Sequence, residues 1–131
     1  MKAGEKFSTA LTAAKAGVSV HQLRIYIQLG LVAPCMKTRG GHGQFDSVCV
    51  ERLRLIHAAV QSGLLLNELR GFFQALDKDN IPALKQEQAI LVARLATRRQ
   101  MLQTCKTHLT HMVNRIDRKS TRLNSSHGII W

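Results

Sequence analysis

The chain has 131 residues, enough for one domain with an appendage, and its 19 Lys and Arg outnumber 8 Asp and Glu, giving a net charge of +11. This excess of positive charge favours polyanionic partners, of which nucleic acid is the commonest. Aromatic residues make up only 5% of the chain, too few for surfaces that stack single-stranded bases. No run of about 18 apolar residues predicts a membrane span.

The first two predicted helices are short, and each ends at a glycine. Ser8 is a candidate N-cap for a helix over residues 9–16, and Ser19 is a candidate N-cap for a second helix over residues 20–29. Two short helices joined by a tight glycine-containing turn are typical of a helix-turn-helix, whose second helix enters the major groove of duplex DNA. The sequence therefore predicts a DNA-binding unit.

A glycine-rich stretch follows the second helix. Val32–Ala33 and Gln44–Phe45 are predicted to pair as two short strands, which would form a basic hairpin, or wing, beside the helix-turn-helix. Polar and basic residues of the second helix and the wing are the candidate DNA-binding residues: Ser19, His21, Gln22, Arg24, Tyr26, Lys37, Arg39 and His42. The alternative for Arg24 is a solvated surface charge, and the alternative for Tyr26 is packing against the wing.

Two further short helices are predicted over residues 47–62 and 66–76, and Pro82 lies where a longer helix can begin. From there to about Asp117 the chain has no glycine, and two interleaved seven-residue series predict a coiled coil. About 35 residues of helix extend roughly 50 Å, too far to bury this face on four short helices. We expect an antiparallel coiled coil with a second copy; the alternative is a helix folded back on its own domain. The predicted dimerisation residues are Leu84, Leu91, Leu95, Leu102, Cys105, Leu109, Met112 and Ile116.

The expected fold is all-α with a small β wing: a winged helix-turn-helix domain over residues 7–80, followed by a coiled-coil helix over residues 81–117. Residues 118–131 lose the periodicity, resemble translated vector sequence and are expected to be disordered.

Metal binding and enzymatic chemistry find little support in the sequence. Cys105, His108 and His111 are spaced so that they diverge around a helix, and one chain cannot chelate a metal with all three. Glycine loops for phosphate, Ser–His–acid sets and paired catalytic carboxylates are absent from the sequence. We expect no cofactor, no metal and no enzyme activity. Because no apolar signal core follows the N-terminal charges, we also expect a cytoplasmic protein with free thiols.

The order of these elements resembles the MerR family of bacterial regulators over residues 7–116. Residues that match the family pattern are Gly17-Val18-Ser19, Leu23-Arg24, Tyr26, Gly30-Leu31, Gly41, Arg52-Leu53, Ile56 and Gly63. The resemblance implies that Arg24 and Tyr26 contact DNA phosphates, and that a homodimer binds a pseudo-palindromic operator. The family's mercury sensor places one cysteine at the start of the long helix and two beyond its end, and this chain does not have that pattern.

The wing sequence Gly41-His42-Gly43-Gln44-Phe45 differs from the usual Gly-Tyr-Arg-x-Tyr and is similar to that of a secondary regulator of mercury-resistance operons. This similarity implies a co-regulator that lowers expression of such an operon at the promoter used by the primary MerR-type regulator. One alternative is a stand-alone activator that responds to a ligand. Another is a coiled-coil adaptor that acts on the primary regulator without binding DNA, because Gly43 replaces a wing arginine.

Overall fold

A computed structural model describes residues 4–127, with side chains as far as Thr121. The elements in chain order are α1 (Thr9–Ala16), α2 (Val20–Gln28), β1 (Met36–Lys37), β2 (Gly43–Gln44), α3 (Ser47–Gln61), a 3₁₀ helix (Leu66–Leu69), α4 (Arg70–Asp77) and α5 (Ile81–His127). The predicted helical architecture with a small β wing and a long C-terminal helix is confirmed. None of the helices within residues 4–127 combines the length and apolar character needed to cross a membrane.

Side-chain caps start the helices where the sequence predicts them. The Ser8 hydroxyl accepts a hydrogen bond from the Leu11 amide at 3.1 Å, and the Asp46 carboxylate accepts one from the Cys49 amide at 3.0 Å. The Asn80 side chain accepts from the Ala83 amide at 3.2 Å and so begins α5. These bonds satisfy amides that have no partner inside the helix.

The chain divides into two compact units, and the division falls between Leu91 and Val92. One hydrophobic core lies in the first unit. Helices α1 to α4 contribute one face each, and the largest fully buried side chains are Phe45, Leu23, Leu53, Ile56, Leu69, Val50 and Thr12. Thr12 is polar, but its hydroxyl donates to the Ser8 carbonyl at 2.7 Å, so its burial leaves no unpaired donor. This core fixes α2 and the wing on a common support.

The wing strands lie nearer the hairpin tip than the sequence predicted. Val32 is buried in the core, and the backbone of Phe45 pairs with Phe7 through two hydrogen bonds of 2.7 and 2.9 Å. The backbone of Phe45 is therefore paired outside the hairpin. The antiparallel pairs are instead Met36 with Gln44 and Lys37 with Gly43.

Two other elements differ from prediction in their limits. The segment predicted as one helix over 66–76 begins with a 3₁₀ turn, Leu66–Leu69. Leu65 before it has no side-chain oxygen for capping, and the Glu68 carboxylate accepts from the Leu65 amide at 2.9 Å. Helix α5 continues beyond Asp117 to His127, and the expectation of disorder over residues 118–131 stays a prediction. The rest of the predicted tail, residues 128–131, lies outside the described residues. The predicted domain boundary at residue 80 remains a prediction.

An ion pair joins α3 to α4. The Arg52 guanidinium donates to the Asp77 carboxylate at 2.7 and 3.1 Å, and it also lies 4.2 Å from the centre of the Phe73 ring. The hydrogen bonds from Arg52 hold the pKa of Asp77 below its ordinary value. A carboxyl with a lowered pKa stabilises the folded chain at pH values above the pKa of the unfolded chain.

We expect Asp77→Asn to lower the free energy of unfolding by about 0.5–1 kcal/mol at pH 7, a small value because the carboxylate is largely exposed. The difference from the parent chain should begin to shrink as the pH falls below about 4, where Asp77 of the unfolded chain takes up a proton, and it should vanish below the lowered pKa of Asp77 in the folded chain. Urea unfolding at several pH values measures this. Asp79→Asn removes the same charge nearby and is the control; an equal loss from both variants would refute the role of the Arg52 pair.

Candidate nucleic-acid interface

The start of α2 is held by a reciprocal pair of hydrogen bonds. The Ser19 hydroxyl accepts from the Gln22 amide at 3.0 Å, and the Gln22 side-chain oxygen accepts from the Ser19 amide at 2.8 Å. This arrangement is a capping box, which satisfies two amides at once and fixes where the helix begins. Ser19 and Gln22, both predicted to contact DNA, therefore have a structural task in the unbound chain.

Because Gln22 belongs to the capping box, a substitution there affects the stability of the chain as well as any contact with DNA. Gln22→Ala should lower the free energy of unfolding by roughly 1 kcal/mol, because it removes half of the capping box. Gln22→Glu keeps an acceptor at that position and should leave stability nearly unchanged, while it replaces an amide donor by a negative charge on the helix that is predicted to bind DNA. Thermal unfolding, combined with competition binding to operators with single base changes, separates the two effects. Equal stability of both variants would show that the box contributes nothing.

Helix α2 presents a polar face to solvent opposite the face that enters the core. His21 and Arg24 are exposed and lie one turn apart, so their side chains share that face. Gln28 is exposed one turn further on and extends the same face. Sequence reasoning missed Gln28, although the spacing 21, 24, 28 predicts it.

Tyr26 lies on the other side of α2. Its side chain is only 5% exposed and belongs to the hydrophobic core, together with Leu23. The phosphate contact of Tyr26 therefore stays a prediction, and only the small exposed part of the residue is available for it, because most of the side chain is buried. The physical reason is helical spacing: residues three apart share a face, and Leu23 already points inwards.

The wing is a tight, basic hairpin. The Thr38 amide donates to the His42 carbonyl at 2.9 Å, and the Thr38 hydroxyl accepts from the His42 amide at 3.2 Å. Gly41 has a φ of +81°, a backbone conformation that residues other than glycine rarely adopt. Lys37, Arg39 and His42 are all exposed on this hairpin, as predicted for a surface that meets phosphates.

Charge is distributed unevenly along this part of the chain. Between Glu5 and Asp46 the sequence has no acidic residue, whereas it has five basic ones: Lys6, Lys15, Arg24, Lys37 and Arg39. Of these, Lys15 lies 4.9 Å from the centre of the Phe7 ring. Helix α2 and the wing thus form a continuous stretch of chain without negative charge, which favours contact with a polyanion.

The buried cysteine, Cys49, is a poor ligand for a soft metal. Burial, with a contribution from Asp46, raises the pKa of Cys49 to about 11, so its thiol keeps its proton at neutral pH. Soft metals bind the thiolate, which is the deprotonated form. Among residues 4–121, whose side chains the structure describes, no group of three or more His, Cys, Asp and Glu is arranged to hold a metal ion.

The predicted dimerisation residues fall into two groups. Leu91 is buried in the core of its own unit, and Leu84 is half-buried. Leu91 therefore stabilises its own unit, and its assignment to a surface between two chains stays a prediction. The remaining predicted residues are exposed along α5: Leu95, Leu102, Cys105, Leu109, Met112 and Ile116.

Comparison with known proteins agrees with this geometry. The sequence pattern of the MerR HTH family of regulatory proteins matches residues 7–76. The chain is also 34% identical, over 106 residues, to the HTH-type transcriptional regulator MerD of Acinetobacter calcoaceticus, an alignment that spans 81% of this chain and 88% of that protein. MerD of Serratia marcescens matches with the same identity and coverage. This chain belongs to the MerR family.

Solved structures show the same fold. A MerR family regulator from Listeria monocytogenes superimposes with a TM-score of 0.75 and 18% identity, over 93% of this chain and 92% of the other. HiNmlR, a MerR family regulator that lacks the sensor domain and is bound to promoter DNA, gives a TM-score of 0.54 and 19% identity, over 76% of this chain and 80% of the other. The resemblance that the sequence motifs carry is confirmed.

Proposed function

We infer that this MerR-family chain is a DNA-binding transcriptional regulator that acts at the operator of a mercury-resistance operon and lowers its expression. The observation that carries this function is the exposed face of α2, where His21 and Arg24 lie together in a segment without acidic residues. The relatives named MerD support the type of regulator, and the promoter DNA bound to HiNmlR supports the type of ligand.

In this proposal α2 enters the major groove and the wing follows the neighbouring backbone. Arg24, Lys37 and Arg39 bind phosphates and so set the register, while His21 reaches base edges. A regulator of promoter DNA acts in the bacterial cytoplasm. Two DNA-binding units are needed for a pseudo-palindromic operator, and the exposed apolar face of α5 is the surface that would join them.

One observation favours an adaptor as the second candidate function. At Gly43 a β-carbon would lie 3.2 Å from the Pro34 β-carbon. The arginine that the family usually has at this position would therefore require Pro34 or the wing backbone to shift slightly. The wing consequently has one cation fewer for phosphate contact. In this role the chain would act on the primary regulator and would have little affinity of its own for DNA.

Footprinting on mercury-resistance promoter DNA distinguishes the two functions. The full chain is tested alone and with the primary regulator, at several salt concentrations and with or without mercuric ion. Protection by the chain alone, lost steeply as salt rises, supports direct binding through phosphate contacts. Protection that changes only in the presence of the primary regulator supports the adaptor. If the chain changes protection in neither case, both proposals are wrong.

A further inference from the structure

The last turn of α1 is held by a side chain from another helix. The final carbonyl groups of a helix have no amide donors within the helix itself. The amides of Gly17 and Val18 donate to carbonyls of α1 at 3.2 and 3.0 Å. The Lys15 carbonyl instead accepts two hydrogen bonds from Arg54 of α3, one from Nε at 3.3 Å and one from Nη2 at 3.1 Å. Arg54 therefore completes the end of α1.

This contact lies immediately before the turn of the helix-turn-helix. Residues 17–19 connect α1 to α2, and Lys15 precedes that turn by two positions. Arg54 is exposed and is not a member of the hydrophobic core cluster. Its positive charge lies at the end of α1 where the helix dipole is negative, which favours the contact. The two hydrogen bonds can therefore be removed without opening a cavity in the core.

Lys15 is also linked to the base of the wing. Its ammonium group lies 4.9 Å from the centre of the Phe7 ring, so the two side chains form a cation–π contact. Phe7 in turn pairs with Phe45, directly after β2, through backbone hydrogen bonds of 2.7 and 2.9 Å. The end of α1 is thus connected on one side to α3 and on the other to the segment that supports the wing.

The arrangement of the donors favours a task within the chain over a direct contact with phosphate. An arginine can direct two neighbouring N–H groups at one acceptor, and here both donate to the same carbonyl oxygen. A lysine ammonium carries the same charge but lacks this planar fork. Replacing Arg54 by lysine therefore separates the geometry of the contact from its charge.

We propose that Arg54 is a positioning residue for DNA binding, whose bonds to the Lys15 carbonyl fix the direction in which α2 leaves the turn. Helix α2 and the wing are then presented together in the spacing that the major groove and its flanking phosphates require. Without these bonds, fewer chains hold both elements in place at once, and the affinity falls by that fraction. This assignment rests on the proposed function, and it adds a residue that acts on the interface through the backbone of α1 rather than by touching DNA.

Operator binding of Arg54→Lys tests the geometry of the contact. The variant keeps the charge and loses the fork, and we expect its Kd for operator DNA to rise about fivefold. Arg70→Lys is the matched control, because Arg70 is exposed at the start of α4 and the change of side chain is the same. Circular dichroism verifies that both variants are fully folded at the temperature of the titration. Equal Kd values for the parent chain and Arg54→Lys would overturn the proposal.

The salt dependence of Arg54→Gln tests whether Arg54 touches DNA. A lost phosphate contact reduces the dependence of log Kd on log salt by about one unit. A positioning residue does not touch a phosphate, so we expect Arg54→Gln to weaken binding and to keep the same slope as Arg70→Gln, which loses the same charge. A slope about one unit lower than that of Arg70→Gln would make Arg54 a phosphate ligand, and the proposal would be wrong.

Amide hydrogen exchange measures the stability of the turn without DNA. In Arg54→Lys, exchange at Gly17 and Val18 should accelerate about fivefold, because the bonds of these amides lie beside the lost contact. Exchange at Leu53 and Ile56, in the buried face of α3, should be unchanged. Equal acceleration at all four amides, or none at the two amides of the turn, would refute a local role of Arg54. If the parent chain fails to bind the operator, the proposed function is wrong, and the exchange experiment still decides whether Arg54 holds the turn.

Discussion

Arg24→Ala is expected to weaken binding to duplex DNA about tenfold, and to do so almost equally for operator and unrelated sequences. Arg24 is exposed on the polar face of α2, where its charge is available to a phosphate. A phosphate contact contributes affinity without reading the base sequence, so its loss should also reduce the dependence of log Kd on log salt by about one unit. Gel-shift titrations at several salt concentrations measure both quantities.

Lys85→Ala is the matched control for this experiment. Lys85 is an exposed residue at the start of α5, so the variant loses the same charge without changing the α2 face. Its Kd should remain close to that of the parent chain. If Lys85→Ala and Arg24→Ala weaken binding equally, the affinity depends on net charge alone, and the α2 interface is wrong. A change of base preference in Arg24→Ala would instead assign Arg24 to the bases.

Phe45→Ala should have the largest effect on stability, a loss of about 3–5 kcal/mol in the free energy of unfolding. The ring of Phe45 is 1% exposed, and it lies where the base of the wing meets the core. Its backbone pairs with Phe7, so collapse of the cavity left by the ring is restrained on that side. The free energy of unfolding of a small domain is only about 5–15 kcal/mol, and the variant would therefore lose a large fraction of it.

Urea unfolding measures this loss, and Val48→Ala is its control. Val48 is apolar as well and lies only three residues away, at the start of α3, but it is 66% exposed, so its truncation should change stability by less than about 0.5 kcal/mol. DNA binding of Phe45→Ala should fall in proportion to the unfolded fraction. A loss below about 1 kcal/mol would show that the wing base does not anchor the core.

Helix boundaries were predictable because they depend on neighbouring residues. Ser8, Ser19 and Asp46 begin helices through bonds to amides three residues away, and Gly17 ends α1 in a left-handed conformation. Each of these interactions lies within one turn of helix, so the sequence contains all of their partners. The positive charge of Arg24, Lys37 and Arg39 was predictable as well, because no acidic residue lies near them in the sequence.

The register of the wing and the orientation of Tyr26 were not predictable in this way. Phe45 pairs with Phe7, which lies far away in the chain, and this contact decides where the two short strands begin. Tyr26 matches a residue that the family resemblance predicts to contact DNA, but its side chain is buried in the hydrophobic core that also contains Leu23. Both outcomes depend on which surface is buried, and burial is a property of the assembled helices rather than of any local pattern.

Taken by itself, the order of residues determined the helices, their caps, the basic wing and the seven-residue repeat, since each rests on contacts within a few positions. Only the tertiary structure decided that Leu91 belongs to the core of its own unit while Leu102 remains exposed on α5. The two leucines belong to the two interleaved seven-residue series that form one apolar face, and the repeat alone does not say which part of that face is buried within its own chain. The difference arises because a hydrophobic side chain is buried wherever apolar neighbours are within reach, and those neighbours come from distant parts of the chain.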